Sequence, residues 1–399
     1  MKKIENHQKK NEYKLFEIIF ILLITLLIFS YKPTIIESLS ISGNADFQWS
    51  PTKCLVENIN HYHSILNNDG RCKIIMSQGG EYQHGLYILL YPLALLSWES
   101  AKTIWTILNV FLAFFIPYLL SKKFKLDKIQ TLIIIFFFCF CATTRVNIIM
   151  GQQTLLVFLF LILPFIYKSK TASIFSGISY FKYNIGYALF CLYIFQKKYK
   201  SALLSFIPCF LGYFLYCLIT ETDFTKLINI FDPIKLTINT NTTFSRVYLL
   251  SFINYIEIFN FKYSSIILLT LSIILAFLFI KKISKIKDNL LKLSCLNIII
   301  LIFLPHWSHD NILLLPLLIF AVKNYKTDLK LSRVNLLISI YFLQVHAAII
   351  IYLNRIWLYF DLNNVFITDI NNIFPYFNII ILLITLIINI QYNKINKLF

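Results

Sequence analysis

The chain has 399 residues, of which 58% are apolar and only 14% charged, with a mean hydropathy of +0.69. A soluble domain carries about 25% charged residues, so the repeated apolar runs must face lipid, and a soluble enzyme is excluded. The formal charge of +18 is spread as short lysine clusters between apolar runs; that arrangement orients a membrane protein and does not point to nucleic acid.

In chain order, the first apolar run (15–31) follows a basic leader without a small-residue cleavage site, and reads as a retained first helix. A polar segment, 32–84, follows as an extracytoplasmic loop with room for short helices. The run 85–98, broken by Pro92, is too short to span and reads as an interfacial helix. Spans are expected near 103–120, 129–144 and 153–167. Between the basic clusters at 168–170 and 196–200, two short helices (172–181 and 185–195) meeting at Lys182-Tyr183-Asn184 form a broken hairpin with Lys182 at its apex. Further spans fall at 201–219, 264–280, 290–304, 311–322, 334–353 and 376–390. The fold class is therefore all-α: a polytopic membrane protein with about twelve transmembrane helices, by the length a bilayer demands. It reads as one integral membrane domain over 1–399, in the inner (plasma) membrane, with both termini cytoplasmic.

This topology keeps most of the 37 lysines and arginines inside, yet four of the five arginines, Arg71, Arg145, Arg246 and Arg355, fall outside. Arginine grips phosphate and carboxylate with a planar fork that lysine lacks, so an anionic ligand on the outer face is expected. The outer pieces also carry Asp46 in GNADFQWSP, Gln152 in the stretch ATTRVNIIMGQQT, Lys182, and His306 and His309 in PHWSHDN. Each has a plain structural reading beside the functional one. Asp46 could cap a turn, Lys182 could snorkel to the interface, the histidines could be hydrogen-bonded loop residues, and Gly151-Gln152 could simply start a helix. What favours function is that ionisable groups near membrane depth are costly and all of these share one face. His61 and His63, with Glu57 nearby, are a weak candidate metal pair. Six cysteines lie in apolar spans, while Cys54 and Cys72 share the first outer loop and could pair in an oxidising compartment.

The order of these features resembles glycosyltransferase family 87: an outer Asp after the first helix, a "PLA" segment, an Asn-ended helix, an outer GQ, a mid-hairpin Lys and a late SxxH. The stretches that carry the resemblance are DFQWSPTKCLVENINHY, YPLALLSWESAKTIWTILNV, GQQTLLVFLFLILP, SGISYFKYNIGYALFCLYIFQKKYKSAL and LPHWSHDNILLLPLL, most of 46–320. It departs at His84-Gly85 and at Tyr183-Asn184, where the family usually has proline. The resemblance implies a GT-C-like hexosyltransferase that moves a sugar, mannose among the candidates, from a polyprenyl-phosphate carrier to a glycan or glycolipid acceptor outside the cytoplasm. It implies Asp46 as the base, with Arg145, Lys182, His306 and His309 on the phosphate and Gln152 lining the pocket. Arg355 is a substrate-binding candidate from sidedness alone. Expected partners are the polyprenyl-phosphate sugar, the acceptor and membrane lipids, with no nucleic acid. No cofactor is expected, and a metal is left open because some related membrane enzymes use one. The competing readings are an O-antigen-type polysaccharide polymerase or ligase, and a lipid or solute transporter; the single helix break at Lys182 has no partner of the kind transporters show.

Overall fold

A computed structural model describes Thr25 and residues 31–76, 78–233, 236, 264–304, 308–344 and 375–395. Among the described residues the protein is helical and without strands. The first predicted span lies almost wholly outside them, as do His306, Arg246 and Arg355. Residues 31–38 are helical, so the loop expected from residue 32 begins later.

The segment before His84 carries α1 (Trp49–Val56) and α2 (His61–Asn67), the latter capped by the Asn60 side chain accepting from His63 N. Cys54 of α1 is joined to Cys72, so the pairing the sequence left open is made. Next come α3 (His84–Ala94) and α4 (Trp98–Lys123). The interfacial helix expected over 85–98 ends at Ala94, because Ser97 caps α4 and gives Trp98 to the next helix. With 26 residues, α4 is long and apolar enough to cross a membrane.

The span expected over 129–144 is two helices, α5 (Lys128–Phe140) and α6 (Ala142–Met150), bent by 54°. The break is Cys141, whose backbone is extended at φ −64°, ψ 146°. Its Sγ lies 3.2 Å from Thr143 Oγ1 and 3.1 Å from Thr144 Oγ1, so this residue turns inward instead of continuing the helix. The stretch ATTRVNIIMGQQT, expected as a piece beyond the span, is thus helical over Ala142–Met150.

After α7 (Thr154–Ile166), the chain makes the hairpin expected from sequence: α8 (Lys170–Ser176), a 3-10 turn over Gly177–Phe181, then α9 (Tyr183–Phe195). Its arms double back. The Ser176 and Tyr193 hydroxyls lie 3.2 Å apart, and the Tyr180 and Tyr187 rings meet at 5.4 Å. Helix α10 (Tyr199–Ile219) is a second helix long enough to span. It crosses α3 closely: a Cβ on Gly212 would strike the Gly85 backbone, and one on Gly85 would strike the Phe181 ring. Small residues permit such backbone approach in membranes.

The remaining helices are α11 (Ser264–Ile283), α12 (Asn289–Phe303), α13 (Leu315–Asn324), α14 (Leu329–Phe342) and α15 (Pro375–Ile395), with a 3-10 turn, Ser308–Leu314, ahead of α13. From Leu290 to Phe303 every residue of α12 is buried, which makes it a central post. A helix apolar on all sides must be enclosed by others, and α11, α13 and α15 pack around it. Asn335 of α14 and Asn389 of α15 exchange two 3.0 Å amide hydrogen bonds in that packing. Asp127, Asp288 and Asp328 cap α5, α12 and α14. Two described helices meet the length and apolarity of a span, or three if the bent α5–α6 pair is one; α3, α7, α9, α12 and part of α15 are shorter apolar helices.

Candidate active site

Asp46 lies in a turn docked on the end of α6. Helix ends leave carbonyls without an intrahelical partner, and here the turn supplies donors: Asn44 N reaches Ile149 O at 2.7 Å and Asp46 N reaches Met150 O at 2.9 Å. Gly151 follows with φ +66°, a left-handed conformation suited to glycine, and a Cβ there would strike Asn44. Trp105 Nε1 donates to Gly151 O at 2.9 Å and fixes this corner to α4.

The corner delivers two glutamines to Asp46. Gln152 Nε2 donates to Asp46 Oδ2, and Gln153 Nε2 donates to the Asp46 carbonyl at 3.1 Å. Gln48 Nε2 reaches the same carbonyl at 3.1 Å and Oδ1 at 3.5 Å, while Tyr82 Oη lies 3.5 Å from Oδ2. The strand of chain bearing Tyr82 is held by Gly80 N donating to Gln48 Oε1 at 3.1 Å and by Gln83 N donating to Phe181 O at 3.0 Å. That last bond ties it to the hairpin one residue before Lys182.

Asp46 is half-buried as a residue, with its carboxyl turned in against these donors. Desolvation pushes it up from 3.8 to about 7; Lys182 opposes this, Glu81 adds to it, the Gln152 bond opposes it and Asp310 adds to it. Among the described residues, the donors on its carboxylate oxygens, from Gln152, Gln48 and Tyr82, are neutral. This is a carboxylate placed to take a proton near neutral pH.

Beside it is a buried ion pair. Lys182 Nζ lies 2.6 Å from Asp310 Oδ1 and 2.8 Å from Thr154 Oγ1, and Thr154 Oγ1 donates to the same Asp310 oxygen at 2.6 Å. Lys182 is 6% exposed, Thr154 and Asp310 0%. Burial pushes the Asp310 carboxyl up most strongly, but the Lys182 and His309 charges, together with the hydrogen bonds from Lys182 and Thr154, jointly outweigh it and hold the group below the usual carboxylate range. Thr154 opens α7 two residues after Gln152, so the Asp46 and Lys182 halves are joined through one short piece of chain. His309 Nε2 stands 3.7 Å from Asp310 Oδ1, and its carbonyl accepts from Asn147 of α6 at 2.7 Å.

Of the residues singled out from sequence, Asp46, Gln152, Lys182 and His309 are thus brought into one cluster. Arg145, on the same α6 helix, is buried with Nε donating to Thr34 Oγ1 at 3.0 Å. His306 and Arg355 lie outside the described residues. His61 and His63 do not converge: His61 packs against Tyr62 and Tyr87, with Nδ1 2.9 Å from the Tyr216 hydroxyl, whereas His63 faces Asp232 at 3.7 Å. Among the described residues no group of three His, Cys, Asp or Glu side chains is placed to hold a metal ion. Sequence reasoning missed Asp310, Thr154, Tyr82, Gln48 and Gln153. Four of them sit inside stretches that had drawn attention, Gln48 in GNADFQWSP, Asp310 in PHWSHDN and Gln153-Thr154 directly after Gln152.

A family model described as glycosyltransferase family 87 matches residues 82–305. That range includes Tyr82, Gln152, Thr154 and Lys182; Asp46, His309 and Asp310 flank it. No curated protein and no solved structure matches the chain.

Proposed function

The chain belongs to glycosyltransferase family 87, and from that premise we propose that it transfers a hexose from a polyprenyl-phosphate carrier to a hydroxyl of a glycan or glycolipid on the extracytoplasmic side of the plasma membrane. Asp46 acts as the base. As the acceptor oxygen bonds to the anomeric carbon, Asp46 takes the hydroxyl proton, the bond from that carbon to the phosphate oxygen breaks, and polyprenyl phosphate departs. The leaving phosphate gains negative charge, which in this reading Lys182 and His309 stabilise. His306, Arg145 and Arg355 complete the proposed phosphate-binding set, and Gln152 orients the base. The reading places the site in a GT-C-like bundle of about twelve crossings, with both termini cytoplasmic and 1–399 forming one domain.

The observation that carries this reading is the Asp46 carboxylate, held by the neutral donors of Gln152, Gln48 and Tyr82, beside the buried Lys182 that Thr154 links to the same corner. A base and a cation in one cluster match what transfer from a lipid-linked phosphate sugar needs. The test uses the full-length protein in liposomes with labelled polyprenyl-phosphate hexoses, mannose first, or a nucleotide sugar, and a glycolipid acceptor. The reading expects transfer from the lipid-linked donor alone; transfer from the nucleotide sugar alone contradicts it.

A further inference from the structure

Two carboxylates compete for one buried ammonium, and the structure assigns Lys182 to Asp310 instead of Asp46. We propose that Asp310 is a positioning residue which, with the Thr154 hydroxyl, holds the Lys182 ammonium away from the Asp46 carboxylate, so that Asp46 stays a working base and Lys182 keeps an N–H for the donor phosphate. This rests on the reading of the cluster as a glycosyl-transfer centre.

The division of partners carries the inference. An ammonium has three N–H donors; two are spent on Asp310 at 2.6 Å and Thr154 at 2.8 Å. Thr154 also donates to the oxygen that Lys182 holds, which closes a triangle of short bonds among three buried residues. Asp46 is touched instead by carboxamides and a phenol, from Gln152, Gln48 and Tyr82. In a low-dielectric site a lysine without its own acid pairs with the next nearest one, and a carboxylate in contact with a cation is a weaker base. The charged and titratable groups bearing on Asp46 are Lys182 at the hairpin apex, Glu81 and Tyr82 ahead of α3, and Asp310 on the 3-10 turn, with His309 against Asp310. Remove Asp310, and Asp46 becomes the acid toward which Lys182 swings.

The experiment is a pH profile of kcat and donor KM for wild type, Asp310→Asn, Asp310→Glu, Lys182→Met and the Lys182→Met/Asp310→Asn double variant, using a polyprenyl-phosphate hexose. Asp310→Asn is expected to lower kcat at least tenfold and to move the acidic limb down by about one pH unit or more, with Asp310→Glu recovering most of both. With Met at 182, the same Asp310→Asn change is expected to move the limb by less than half as much, because there is no ammonium to release. An unmoved limb in Asp310→Asn, or an equal shift with Lys182 absent, overturns the proposal. If Asp310→Asn does not fold, the double variant must fold, since it strands no charge; a double variant that also fails overturns it. Wild type inactive with every lipid-linked hexose overturns the functional reading itself, which separates the two failures.

Discussion

The Gln152 carboxamide donates to Asp46 Oδ2 across 106 residues of chain, from a corner that the same turn helps to build. Because the bond favours the charged carboxylate, it holds the Asp46 carboxyl lower than burial alone would. Gln152→Leu is therefore expected to push that carboxyl above about 7. Activity at neutral pH falls roughly tenfold and the acidic limb moves up, the opposite direction from Asp310→Asn. A rate–pH profile reads both.

Asp46 also makes stability depend on pH. Its folded carboxyl is raised to about 7 from 3.8, so between those values the folded state binds more protons than the unfolded state. Stability then declines as pH rises through that window. Asp46→Asn removes the cost. It should melt higher than wild type at pH 8 and show little difference at pH 4, as thermal unfolding in detergent can measure.

The Cys54–Cys72 bond closes an 18-residue separation that takes in the end of α1 and all of α2, in the segment that follows Asp46. By loop-closure entropy it contributes about 3 kcal/mol. Cys54→Ser, Cys72→Ser and the double variant should therefore lose similar stability, and proteolysis should cut within 57–76 sooner in each. Additive losses would mean the two sulfurs act separately.

The crossing of α3 and α10 leaves no space at Gly85 and Gly212. Gly212→Ala forces the helices apart at an expected cost of about 1–3 kcal/mol, the range for overpacking. Gly85→Ala should cost activity as well, because its Cβ would displace Phe181, whose carbonyl holds the Tyr82 segment and whose neighbour is Lys182. Melting temperature and transfer rate distinguish the two substitutions.

The hairpin was legible in sequence because Lys182-Tyr183-Asn184 interrupts an apolar run with basic clusters at both ends. Asp46, Gln152 and His309 were legible as polar or ionisable residues in short segments that the topology reading put on one face. The bend at Cys141 was not, since the run Phe137–Ala142 has no glycine or proline to announce it, and only the inward turn of Cys141 toward two threonines reveals it. Asp310 was hidden by its neighbours. Two histidines beside it drew the eye, and its partner Lys182 lies 128 residues away, a pairing that only packing of the hairpin against the 3-10 turn creates.

The central claim is that Asp46 takes the acceptor's proton in a site that Lys182 shares. Its most direct test is transfer from a polyprenyl-phosphate hexose by purified wild type and Asp46→Asn at pH 7.5, a pH of roughly physiological range chosen so that the base is ionised. The account predicts a loss of about 10²–10⁴-fold with the fold and donor binding retained; transfer by Asp46→Asn within tenfold of wild type would contradict it.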